Sequence, residues 1–185
     1  VGDLSGLDSK YLRNLLPNKR FKLGDDWTLD VIETPGHCKD HVSPVLTNSK
    51  DQRVCFFGET LGINLKGAFS PIPASSAPDF NSKDYLASVR KVCKEDFDLG
   101  IFSHVGGIAR KENIQQTCRN AIDGYEIFRN DVIKFHRKNS STRYVVEQMF
   151  KKYHSLLTTS SVNQNLAKNL GFTLVYGILL DEGLK

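Results

Sequence analysis

Short apolar runs separated by polar turns occupy the middle of the chain, and this pattern predicts β-strands. The turn Gly24-Asp25-Asp26 joins the first two runs and predicts a hairpin. A polar turn, Asn48-Ser49-Lys50-Asp51, joins the next two runs in the same way. The predicted strands cover residues 21–23, 28–33, 42–46, 54–57 and 98–103.

Helical patterns lie on both sides of these strands. A short helix is predicted at 10–16, where Pro17 would end it. The stretch 61–81 is rich in glycine and proline and predicts a loop, and a loop of that length in a compact domain usually carries function. An amphipathic helix is predicted at 82–94. Its apolar face contains Tyr85, Leu86, Val89 and Val92.

The pattern is helical from Lys111 to the end, and no strand is predicted after Gly107. Thr142 is predicted to cap the second of three helices. The last helix has an apolar face too wide for a solvated helix, so we expect it to pack on the other helices and partly across a two-fold axis as a homodimer contact. The three predicted helices cover 111–138, 143–154 and 162–180.

Composition narrows the class of protein. Hydrophobic residues make up 39% of the chain and no apolar run approaches the roughly 20 residues that span a bilayer, so a membrane partner is not expected. The net charge of +4 is mild and its cations are scattered, which disfavours nucleic acid as a partner. The four cysteines show no CxxC spacing, which predicts reduced thiols in a cytoplasmic protein.

Three of the apolar runs are each followed by a side chain that can bind a metal ion. His37 follows the turn Pro35-Gly36, Glu59 follows Gly58, and His104 follows a run that ends at Ser103. Side chains at strand ends can converge on one point while the strands behind them stay packed. Imidazole and carboxylate are ligands that Zn, Fe and Mn accept. The three residues are therefore candidate metal ligands.

The segments 30–37 (DVIETPGH), 56–60 (FFGET) and 103–104 (SH) resemble the second half of a metallo-β-lactamase-fold hydrolase. In that family a TPGH histidine, a GD aspartate and a later histidine bind one or two metal ions. The resemblance covers roughly residues 19–110. It implies an α/β (α+β) fold: part of an αββα sandwich at 1–110, then an all-helical C-terminal region at 111–185 like that of glyoxalase II-type members.

The resemblance implies that His37, Glu59 and His104 hold a divalent metal, with zinc expected first and iron or manganese as alternatives. It also implies that one or two ions activate a metal-bound water to cleave a small-molecule ester, thioester or related substrate. No further catalytic residue is identified. His41, Asp40 and Cys38 adjoin His37 and are expected to orient the ligands or line the pocket.

The chain departs from the family pattern at two points. Glu59 stands where the family usually has aspartate, and the family's earlier His-x-His-x-Asp-His motif is absent from this sequence. These departures favour, as an alternative, a catalytically degenerate interaction scaffold of the same fold. Because three ligand positions are retained, we expect instead that the chain is a fragment of a longer hydrolase.

Overall fold

The computed structural model describes residues 19–64, 71–104, 106–158 and 164–185, with the backbone alone at 154–158 and 164–168. The helix predicted at 10–16 lies outside these residues. The described strands form one six-stranded sheet in sequential order. All neighbours are antiparallel except β4 and β5, which are parallel. The strands are β1 (Phe21–Leu23), β2 (Trp27–Glu33), β3 (Val42–Asn48), β4 (Arg53–Gly58), β5 (Leu99–Phe102) and β6 (Gly106–Ala109).

Strand β6 corrects the expectation that no strand follows Gly107. It pairs along its whole length with β5, from Phe102 opposite Gly106 to Leu99 opposite Ala109. Two of its four residues are glycines, which have low strand propensity, so local pattern gives no signal there. The available edge of β5 decides the conformation instead.

The two faces of the sheet differ in burial. On the inner face, Val45, Cys55, Phe57 and Phe102 are at most 7% exposed. On the opposite face, the directly paired side chains Leu29, Leu46, Val54 and Leu99 form one row across four strands. We call this second surface the outer sheet face; Val31 on it is buried, and its other apolar side chains are partly exposed and lie outside the core. They are Leu29, Pro44, Leu46, Val54, Phe56, Leu99 and Ile101.

Four helices complete the described chain, and their positions agree with the sequence pattern to within a few residues. Asn81 caps α1, since its side chain accepts a hydrogen bond from the Asp84 amide at 2.9 Å. Thr142 is the first residue of α3 rather than its cap. No helix in this part of the chain is both long and apolar enough to cross a bilayer. The helices are α1 (Ser82–Val92), α2 (Lys111–Lys138), α3 (Thr142–Thr158) and α4 (Gln164–Asp181).

Helix α4 packs into the core of the molecule. Its side chains Val175, Ile178 and Leu179 are fully buried, within one core that also includes the inner sheet face. A Cβ added at Gly177 would stand 1.9 Å from the carbonyl oxygen of Ser75, so the helix lies directly on the loop before α1. Its other neighbours are α2 and α3, which agrees with the expectation that it packs on the other helices. The homodimer contact, and the division at residue 110, stay predictions.

Two of the four cysteines form a disulfide, which corrects the expectation of four free thiols. Cys93 ends α1 and Cys118 lies in α2, and the packing of these helices brings their Cα atoms to 5.8 Å. Their separation of 25 residues carries no recognisable spacing, so only the packing reveals the pair. Cys38 and Cys55 are free. A cytoplasmic location stays a prediction.

Replacing Cys93 by serine removes the only covalent tie between α1 and α2 in the part of the chain described. We expect the free energy of unfolding to fall by roughly 2–4 kcal/mol, because the unfolded chain regains the entropy of the opened loop. Urea unfolding under non-reducing conditions measures this loss. Cys38→Ser, which keeps the disulfide, is the control, and the reduced parent should match Cys93→Ser. A parent whose stability is unchanged by reduction would contradict the pairing.

Candidate metal centre

The three predicted ligands lie beyond the same edge of the sheet. Strands β2, β4 and β5 run in the same direction, because β2 and β4 are both antiparallel to β3, and β5 is parallel to β4. His37 follows β2, Glu59 follows β4 and His104 follows β5. The topology therefore delivers all three side chains to one end of the molecule.

The turn that carries His37 is pressed against α1. Gly36 has φ +134°, and a Cβ there would lie 2.3 Å from the backbone of Tyr85, so only glycine fits. The Asn81 amide donates to the Gly36 carbonyl at 2.8 Å, and the Ser88 hydroxyl donates to the Pro35 carbonyl at 2.6 Å. These contacts fix the backbone from which the imidazole of His37 projects.

A backbone carbonyl sets the tautomer of His37. Its Nδ1 lies 2.6 Å from the carbonyl oxygen of Ala74, which can only accept, so Nδ1 carries the proton and Nε2 keeps its lone pair. A metal-binding histidine usually has this arrangement, with the other ring nitrogen held by a carbonyl or carboxylate. The Ala74 segment is itself held by α4, because the Ser75 hydroxyl donates to the Leu174 carbonyl at 2.9 Å.

His41 fastens the Glu59 turn to the His37 turn. Its Nε2 accepts a hydrogen bond from the backbone amide of Glu59 at 3.0 Å. Because Nε2 is thereby an acceptor, Nδ1 carries the proton and donates to Thr34 Oγ1 at 2.9 Å. Thr34 Oγ1 lies 3.0 Å from Ser43 Oγ, and the Ser43 hydroxyl has two possible acceptors, the Phe57 carbonyl at 3.3 Å and Thr60 Oγ1 at 3.0 Å. The directions of the two bonds to His41 are therefore fixed, because the backbone amide of Glu59 can only donate.

This chain of hydrogen bonds requires a neutral His41. Burial, followed by the nearby His37, lowers the pKa of His41 below its usual value. Protonation would also set a second N–H against the Glu59 amide. Thr34 and Ser43 are both buried, so their hydroxyls depend on these partners. His41 therefore acts on Glu59 through the backbone.

Glu59 and His104 are already in contact. His104 Nε2 lies 2.8 Å from Glu59 Oε1, with the imidazole largely exposed and the carboxylate mostly buried. The other carboxylate oxygen, Oε2, is buried and has no hydrogen-bond partner among the described residues. A carboxylate that has lost solvent around an unpaired oxygen is suited to a cation.

The donor set of these three side chains fits a divalent metal. Two imidazoles and one carboxylate match the preferences of first-row ions, and Oε2 of Glu59 lacks a partner among the described residues. The rings of His37 and His41 are 5.9 Å apart, so both histidines border the Glu59 turn. As they stand, no three His, Cys, Asp or Glu side chains within the described ranges are arranged to hold a metal. The assignment of His37, Glu59 and His104 as ligands stays a prediction.

Cys38 and Asp40 occupy the outer side of the His37 turn. The Cys38 thiol is hydrogen-bonded to Asp40; burial and then this contact raise the pKa of Cys38, and the same contact lowers the pKa of the exposed Asp40. Asp40 and His41 also line a surface cleft of about 340 Å³ between this turn and α1. The Cys38 thiol and the Asp40 carboxylate are therefore hydrogen-bonded to each other at the surface.

Sequence reasoning missed three contributors to the site. The Ala74 carbonyl orients His37, the hydroxyls of Thr34 and Ser43 complete the chain from His41, and Tyr85 packs behind both turns. Ala74 and Tyr85 reach the site from distant segments, so their roles have no local signature. The one available signal was polar Thr34 and Ser43 beside apolar strand residues.

No protein-family profile matches the sequence, and no curated protein is significantly similar to it. Among solved structures, a β-lactamase domain protein from Burkholderia ambifaria aligns with 92% of this chain and 47% of its own, at 15% identity and a TM-score of 0.58. A metallo-β-lactamase family protein from Thermus thermophilus aligns with 91% of this chain and 48% of its own, at 16% identity and a TM-score of 0.53. The chain has the metallo-β-lactamase fold.

The metallo-β-lactamase fold confirms the predicted fold class, in which part of an αββα sandwich is followed by C-terminal helices. The chain spans about half the length of the solved structures it matches. The outer sheet face lies on the side of the sheet away from the core that the inner sheet face shares with the helices. The order and direction of the strands therefore place the three candidate ligands at one end of the sheet and leave the outer sheet face partly exposed.

Gly36→Ala tests the close approach of the His37 turn to α1. We expect a loss of about 2–5 kcal/mol in unfolding free energy, because the new Cβ meets the Tyr85 backbone and adopts an unfavourable φ. Urea denaturation measures the loss. Gly24→Ala is the matched control, since Gly24 also has a positive φ of +65° but nothing lies within 4 Å of its Cβ position. Equal losses in both variants would contradict the packing described.

Proposed function

We propose that the chain carries one side of the metal centre of a metal-dependent hydrolase, with His37, Glu59 and His104 as ligands. The observation that carries this is the meeting of Glu59 with His104 at 2.8 Å, beside a buried carboxylate oxygen that is unpaired among the described residues. The superfamily that shares this fold is mostly hydrolytic and usually binds divalent metals. Zinc is the first candidate, and iron or manganese are alternatives.

Each proposed ligand is held or oriented by a different neighbour. His37 presents Nε2 because the Ala74 carbonyl holds its other nitrogen. The backbone of Glu59 is held in place because its amide donates a hydrogen bond to His41. His104 donates from Nε2 to Glu59, and Nε2 would be free to hold a metal ion only after that proton had moved to Nδ1 or been lost. The chain therefore holds two ligands on fixed turns and adds the third from the solvent side.

A bound divalent metal supplies a Lewis acid, which polarises a scissile carbonyl and makes water nucleophilic near neutral pH. The protein residues bind and orient that metal, and α1 with the loop before it excludes water from behind it. A small ester or thioester is the substrate class we propose, because the C-terminal helices resemble those of glyoxalase II-type members. In the hydrolases that this chain resembles, the remaining ligands come from an earlier His-x-His-x-Asp-His motif.

The alternative is a catalytically degenerate scaffold of the same fold. It is favoured by the absence of a His-x-His-x-Asp-His motif and by the fact that no three metal-binding side chains in the described residues are yet arranged around an ion. Metal content separates the two functions. Stoichiometric zinc, iron or manganese in protein purified without added metal supports the hydrolase, and its persistent absence supports the scaffold.

His104→Ala tests the ligand set. We expect the affinity for Zn²⁺, measured by competition with a chelating dye, to fall. The loss should exceed the roughly 10–100-fold that follows when a group hydrogen-bonded to a metal ligand is removed. The thermal midpoint of the metal-free protein should change little, because His104 is exposed and β5 is held by its neighbours. His136→Gln, a histidine change on α2, is the control. Unchanged zinc affinity in His104→Ala would remove His104 from the ligand set.

A further inference from the structure

Tyr85 carries a buried hydroxyl that the fold alone does not explain. The residue is 1% exposed, and its hydroxyl has no hydrogen-bond partner among the described residues. An unpaired buried hydroxyl is destabilising, so its retention calls for an explanation. Phenylalanine would fill the same space between Phe80 and Tyr125, whose rings lie 5.7 and 6.0 Å away.

The hydroxyl lies over the turn that carries Glu59. A Cβ added at Gly62 would stand 3.2 Å from Tyr85 Oη, and the Gly62 amide donates to the Glu59 carbonyl at 3.0 Å. Gly62 has φ +75°, so its lack of a side chain serves both the turn and the approach of the phenol. The phenol thus reaches the Glu59 turn from inside the core.

The two unpaired polar atoms behind the Glu59 turn are complementary, because one is an acceptor and the other a donor. Within the described part of the chain, Oε2 of Glu59 is a buried acceptor without a partner, and Tyr85 Oη is a buried donor without one. Burial and then the negative charge of Glu59 raise the pKa of Tyr85, so the phenol keeps its proton and remains a donor.

We propose that Tyr85 is a positioning residue of the metal centre: when a metal ion is bound, its hydroxyl donates to the Glu59 carboxylate and fixes the orientation in which that carboxylate meets the ion. This inference rests on the proposed function. Tyr85 also supports the opposite ligand, because its backbone abuts Gly36 next to His37. One residue of α1 therefore serves both ligand-bearing turns.

Tyr85→Phe removes the hydroxyl and leaves the ring. We expect Zn²⁺ affinity to fall about 10–100-fold, as it does when a partner that orients a metal ligand is lost. The visible absorption spectrum of the Co²⁺-loaded protein should also change, because carboxylate coordination is altered. The thermal midpoint of the metal-free protein should be unchanged or raised, since an unsatisfied hydroxyl is gone.

Tyr125→Phe is the matched control. Its ring belongs to the same aromatic cluster, but its hydroxyl is hydrogen-bonded to Ser82. We expect parental zinc affinity and a parental Co²⁺ spectrum. In a Glu59→Gln background, Tyr85→Phe should cause little further loss of affinity, because the carboxylate it orients is absent. Parental zinc affinity and Co²⁺ spectrum in Tyr85→Phe would overturn the inference and leave the proposed function standing.

A parent that binds neither Zn²⁺ nor Co²⁺ would overturn the proposed function instead. The inference rests on that function and would fall with it. A parent that binds metal, together with an unchanged Tyr85→Phe, would overturn the inference alone.

Discussion

The site depends on one chain of hydrogen bonds that ties three strand ends together. It begins at the Glu59 amide, passes through His41, Thr34 and Ser43, and ends at the Phe57 carbonyl. The amide at one end can only donate, so both ring nitrogens of His41 have a single role, and the Ser43 hydroxyl also contacts Thr60 Oγ1 at 3.0 Å. Buried networks of this kind are stable only when fully satisfied. The turn that bears Glu59 is thereby fixed without using its side chain.

A second support reaches the site from the far end of the sequence. Gly177 allows α4 to lie against the Ser75 carbonyl, and the Ser75 hydroxyl is bonded back to that helix. The adjacent Ala74 carbonyl then orients His37. The C-terminal helices are therefore part of the structure that prepares a metal ligand. This explains in physical terms why their apolar residues belong to the same core as the sheet.

Periodicity predicted the hairpins and all four described helices, because strong patterns dominate in these segments. It failed at Gly106–Ala109, where a partner strand decides the structure, and at Cys93, whose disulfide partner is set by helix packing. The short motifs located the candidate ligands, since a side chain at a strand end is a local feature. The groups that orient them come from the loop before α1 and from Tyr85. No local pattern could have connected those residues to the site.

The candidate centre has a buried wall formed by α1 and a solvent-exposed opening on the other side. The Glu59 side chain is 16% exposed against the wall formed by α1, whereas that of His104 is 57% exposed. Glutamate is one methylene longer than the usual aspartate, so its carboxylate has more rotational freedom to lose on binding. A buried donor behind it would fix its orientation when a ligand binds, whereas His104 can exchange its partner in water. The substitution of aspartate by glutamate is then compatible with a rigid site, provided that the wall, rather than the short side chain, supplies the rigidity.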